Sequence, residues 1–117
     1  MTKNQKIYDL EDRTFQFAKE SRIFVGKLNK NIANIEDSRQ FIRSSGSVAA
    51  NYIEANESLS KKDFVMRVKI CRKEAKESIL WLRLISVPKD MEKEQERLIQ
   101  ESTELMKIFG SIIEKSK

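Results

Sequence analysis

Lys62, Lys69, Lys76 and Arg83 follow one another at seven-residue spacing, with Lys73 between them. On a helix this spacing lines up five cations along one outward face about 30 Å long. Such a line can neutralise successive phosphates of a nucleic-acid backbone and release their counterions. A charged solvent face kept for solubility has the same pattern, and the sequence leaves both readings open. Residues 61–85 carry eight basic and three acidic groups while the rest of the chain sums to zero, so the net charge of +5 belongs to this one segment.

Carboxylates are the second candidate chemistry. Glu54/Glu57, Glu74/Glu77 and Glu101/Glu104 are i, i+3 pairs, and pairs from separate helices can hold Mg²⁺ for phosphate chemistry, as in all-helical nucleotide pyrophosphatases. Here the pairs fall beside the apolar seam, no lysine or histidine pattern accompanies them, and glutamate is simply a good helix former. The chain has no histidine, three glycines and one proline. That composition removes imidazole bases, histidine metal sites and glycine-rich phosphate loops. The lone Cys71 forbids an internal disulfide and falls on an apolar seam, the setting of an inert thiol. No catalytic residue, cofactor or metal is expected.

The elements that must position these residues are helices. With 39% apolar and 35% charged residues in 117, a modest core has to be gathered on narrow faces. Apolar or small residues recur at alternating spacings of four and three in four segments, predicting helices at roughly 9–29, 35–58, 61–86 and 88–115. Asp9 is the expected N-cap of the first, Asn34 the start signal of the second, and Ser60 opens the third as a capping-box-like Ser-Lys-Lys-Asp. Pro88 suits the first turn of the fourth. Short connections then predict an all-α protein, a single antiparallel up-down-up-down four-helix bundle over residues 1–117. The run Ser44-Ser45-Gly46-Ser47 costs helix propensity, and close approach of a neighbouring helix is the expected compensation.

Within the third helix, Phe64, Cys71, Ser78 and Ile85 alternate with Val68, Ala75 and Leu82 as the seam. A further stripe, Ile70, Glu74, Glu77, Trp81 and Leu84, flanks it on the side away from the lysines. In a lone bundle this stripe leaves an apolar patch, so self-association is expected through it, with Trp81 as anchor; a widened core face is the alternative. No segment approaches the ~20 apolar residues of a membrane span, and Met1 to Leu10 lacks the apolar region of a secretory signal. The expectation is a cytoplasmic protein without a membrane partner. Tyr8 and Tyr52 are the possible stacking platforms for bases, too few for sequence-specific single-strand recognition.

Residues 50–55 read Ala-Asn-Tyr-Ile-Glu-Ala, residues 60–64 Ser-Lys-Lys-Asp-Phe, and residues 73–78 Lys-Glu-Ala-Lys-Glu-Ser, followed by Trp81-Leu82. These strings closely resemble the bacterial four-helix bundle family named for proteins encoded in intervening sequences of 23S ribosomal RNA genes. The resemblance implies a ring-like homopentamer without known catalysis. It also implies nucleic-acid association for some relatives, such as the accessory protein of diversity-generating retroelements. Asn51, Glu54, Glu74, Glu77 and Trp81 match family positions, implying roles in packing and assembly. The leading expectation is a homo-oligomeric module whose basic face binds RNA or DNA nonspecifically or serves a nucleic-acid-processing protein. A protein-only scaffold and, more remotely, a carboxylate-dependent Mg²⁺ nucleotide hydrolase are the alternatives.

Overall fold

The computed structural model describes the backbone of residues 3–117 and the side chains of residues 10–117. Among these the chain forms four helices and no strand: α1 (Lys3–Gly26), α2 (Ile32–Asn56), α3 (Lys61–Leu84) and α4 (Glu92–Lys115), with a single 3-10 turn at Lys89–Met91. Each helix packs on its neighbours in chain order. α4 closes loosely against α1, and α1 and α3 stand diagonally opposite. This is the four-helix bundle that the period of the seams requires.

The ends of the helices differ from expectation for identifiable reasons. α1 is already helical at Lys3, so position 9 is interior; the side chains of Tyr8 and Asp9 lie outside the described residues. α2 begins three residues earlier than expected because Asn31, with extended backbone, accepts the Asn34 N–H at 2.8 Å. Asn34 is thereby freed for another task. Its Nδ2 donates to the carbonyls of Asn29 (3.1 Å) and Ser86 (2.9 Å), and its Oδ1 accepts from the Ser86 N–H at 3.0 Å, tying the α1–α2 turn to the α3–α4 connection. Ser60 caps α3 through the Asp63 N–H at 3.1 Å. Pro88 initiates the 3-10 turn rather than α4, a tighter winding that carries Met91 into the core. Gln95 donates to the carbonyls of Leu82 and Ile85 at 2.8 and 2.9 Å, satisfying the C-terminal end of α3.

The core is aromatic near α1 and small near α3. Phe41 takes both Phe17 and Phe24 edge-on at centroid distances of 6.3 Å. Where α2 meets α3, the Ser44 and Ser78 hydroxyls bond at 2.7 Å, and the Cys71 thiol donates to the Val48 carbonyl at 3.5 Å. Within the serine run the contact with α3 is the Ser44–Ser78 hydroxyl pair, and the Cys71–Val48 bond lies just beyond it. At Gly46 the neighbour is different: a Cβ there would stand 3.0 Å from Nη2 of Arg22 on α1.

Candidate nucleic-acid interface

α3 is held on both flanks, and that fixes which of its faces remains free. On one side Arg67 donates to Asn51 Oδ1 (3.1 Å) and Glu74 meets Arg43 (3.4 Å) and Ser47 (3.4 Å), all on α2. On the other, Ser102 of α4 donates to the Ala75 carbonyl at 2.7 Å, and Arg72 lies over Gly110, its Cδ 3.9 Å from where a Cβ would be. The remaining surface carries Lys62, Lys69, Lys73, Lys76 and Arg83, every one exposed. None of the five makes an ion pair with a described residue.

One cation was missed by assigning positions strictly from the seam. Arg72 is not among the five cations expected from the seam, yet it is exposed and joins Lys69, Lys73 and Lys76 at the i, i+3, i+4, i+7 spacing of a single helical face. That spacing is visible in the sequence once the flank beside the seam is included. At the start of α3, Lys61, Lys62 and Lys69 rim a shallow concavity with Val65 and Met66, closed by Ser116 from the end of α4.

The second stripe is divided. Glu74 is 5% exposed and is held by Arg43 and Ser47 within the chain. Ile70, Glu77 and Trp81 are half-buried, and the Trp81 ring packs against the core. Its indole N–H is buried and meets no acceptor, so the ring acts there as apolar bulk. Leu84 is exposed at 54%, and Leu80 beside it at 49%. The outward apolar surface thus lies at the C-terminal end of α3, around Leu80 and Leu84.

The paired carboxylates go elsewhere. Arg13 of α1 forks onto Glu101 through Nε (2.8 Å) and Nη2 (2.7 Å), and Nη2 also reaches Glu104 at 2.8 Å. The guanidinium is held charged mainly by its bond to Glu101. The Glu104 carboxyl falls below the ordinary carboxylate range, first through the Gln100 amide and then through Arg13. With Glu74 also paired, two of the three glutamate pairs are engaged by arginines. Among the described residues no three carboxylate or thiol groups come together as a cation site. Cys71 is fully buried, and burial pushes its thiol up to about 12. No described helix is long and apolar enough to cross a membrane.

The architecture and the basic helix can be set beside known proteins. A crystal structure of a protein of unknown function from the S23 ribosomal protein family of Bacteroides thetaiotaomicron superposes with a TM-score of 0.75 at 28% identity, covering 93% of this chain and 98% of that one. No curated protein matches. The model of the 23S rRNA-intervening sequence proteins matches residues 6–111, almost the whole bundle. The chain therefore belongs to the 23S rRNA-intervening sequence protein family.

Proposed function

We propose that this chain is a non-enzymatic, cytoplasmic helical module that assembles with copies of itself, five by family resemblance. Its α3 face associates nonspecifically with RNA or DNA, or supports a protein that does. The observation carrying the nucleic-acid reading is the contrast in how cations are used. Between α1 and α4, Arg13, Lys27 and Arg97 each find a glutamate. On α3, Lys62, Lys69, Lys73, Lys76 and Arg83 find none. With the whole net charge of +5 in residues 61–85, this face keeps a field that attracts polyanions. The assembly reading is supported by the Leu80/Leu84 surface beside the half-buried Trp81, an apolar patch at a helix end that a second copy can cover.

The test is a salt titration by fluorescence anisotropy with generic RNA and DNA. Wild-type affinity should fall steeply with salt, each contacted phosphate adding roughly 0.7 to 0.9 to the log–log slope. The Lys69→Glu/Lys73→Glu/Lys76→Glu variant, with helicity checked by circular dichroism, should lose most of the binding. Equal affinities and slopes for the two folded proteins remove the face from the binding surface. Absence of wild-type binding at low salt leaves a protein-only scaffold as the better reading.

A further inference from the structure

Four cations crowd the middle of α3. Lys69, Arg72, Lys73 and Lys76 span eight residues, about 10.5 Å of helix axis, and all four are exposed. The α4 flank beside them presents Ile99, Thr103, Met106 and Gly110 by helical periodicity, with no carboxylate among them. The acids of that stretch, Glu101 and Glu104, turn the other way to Arg13. The patch is therefore a dense cluster of cations with neutral side chains on its α4 side, and the half-buried Glu77, four residues on from Lys73, borders it on the other.

Charge density then separates two polyanions. A duplex carries one phosphate per about 1.7 Å of axis, so roughly six over the length of this quartet, whereas each strand alone supplies about one per 3.4 Å, roughly three. Four cations can all be neutralised by the first and outnumber the phosphates of the second.

Stacking decides in the same direction. Proteins that hold single strands gain about fivefold or more per base from aromatic rings beside the basic groove. Here the described aromatic residues are elsewhere. Tyr52, Phe17, Phe24, Phe41 and Phe109 are buried, and Phe64 and Trp81 pack against the core. Phe15, exposed at 55%, and Tyr8 both belong to α1, the helix diagonal to α3.

Resting on the nucleic-acid reading above, we infer that the α3 face takes a double-stranded nucleic acid, gripped through its phosphates, in preference to a single strand. α3 is flanked by α2 and α4 along its length, so it lies against the backbone rather than entering a major groove to read bases.

The experiment measures anisotropy of the full chain with a labelled duplex two helical turns long and with each of its separated strands, in DNA and RNA versions, at about 50 mM salt. Duplex affinity should exceed that for either strand by at least tenfold, be indifferent to sequence, and drop at least fivefold in folded Arg72→Glu. Single strands binding as tightly as the duplex, or an Arg72→Glu variant with unchanged duplex affinity, overturns this inference while the nucleic-acid reading stands. Failure of both duplex and strands to bind overturns the two together. Comparison of the DNA and RNA duplexes identifies which source the shared backbone chemistry serves.

Discussion

Removing Arg13 tests how α1 is held to α4. Arg13, Glu20 and Lys27 stand seven residues apart on α1 and face Glu101/Glu104, Arg97 and Glu94 on the antiparallel α4, at 2.7, 2.8, 2.9 and 3.3 Å. The seam between them is a cleft lined by polar side chains such as Gln16 and Gln100 over the edge of Phe17. Arg13 makes the best-formed contact, a bidentate fork at a partly exposed position with side-chain exposures of 34% and 22%. Exposed pairs are worth 0.2–1 kcal/mol, and fork geometry within a network places this one near the top, about 1 kcal/mol. Arg13→Ala also leaves Glu101 and Glu104 facing each other one turn apart, which adds to the loss. For 117 residues the unfolding entropy is about 0.25 kcal/mol/K, so the variant should melt roughly 4–5 °C lower at fixed protein concentration. Raising salt to about 1 M shortens the screening length to about 3 Å and should narrow the gap.

The pH dependence follows from the sign of the shift. The folded Glu104 carboxyl lies below its ordinary value of 4.5, so its contribution is complete above that value and disappears as pH falls through the folded one. The difference between wild type and Arg13→Ala should accordingly hold at neutral pH and close in acid. A double-mutant cycle with Glu101→Gln should give a coupling of at least 0.5 kcal/mol. A coupling near zero, or a melting difference independent of both salt and pH, refutes the ion-pair account of the seam.

Gly110→Ala should stabilise the bundle by about 1 kcal/mol, because the position is helical and a Cβ meets nothing closer than the Arg72 stem at 3.9 Å. Gly46→Ala should gain less in denaturant titration, since its Cβ displaces the Arg22 guanidinium; a larger gain at Gly46 than at Gly110 contradicts the packing described. The Cys71 thiol, raised to about 12 and fully buried, should react with a disulfide reagent at pH 8 far more slowly in the native protein than in denaturant, and equal rates would place it at the surface. Leu84→Asp should dissociate the assembly with helicity intact, read by light scattering and circular dichroism, because Leu84 is exposed in the single chain. Trp81→Asp should lower helicity as well, because that ring also packs on the core. An unaltered particle mass for Leu84→Asp rules out the Leu80/Leu84 surface as the contact.

Periodicity is local information, and what depended on it was legible. The seam of α3 from Val68 through Leu82 is buried in register, and the five cations face outward, because a helix fixes the direction of every residue once one face is known. Pairings between helices depend on which elements become neighbours, and there the sequence is ambiguous. Arg13 and Glu101 are 88 positions apart, so Glu101 and Glu104 read as a possible cation site until α1 is laid beside α4. Asn34 read as a helix start because its chemistry suits a cap, whereas Asn31 makes the cap and Asn34 joins two loops 52 positions apart. Glu74 read as part of the self-association stripe, but it is buried within the chain, where it meets Arg43 and Ser47 of α2.

The misplaced residues are polar groups whose partners lie on another helix, and they separate the charges of this bundle into two kinds. Outside residues 61–85 acidic and basic groups balance, and where they meet across helices they hold the α1–α4 seam together. Along α3 the acids are few, and Glu74, on the side away from the lysines, is held by α2. Lys69, Arg72, Lys73 and Lys76 have no anion of the described chain within ion-pair distance. The contacts that close the α1–α4 and α2–α3 interfaces thus use the acids on those flanks, and the net positive charge of residues 61–85 stays on the free face of α3.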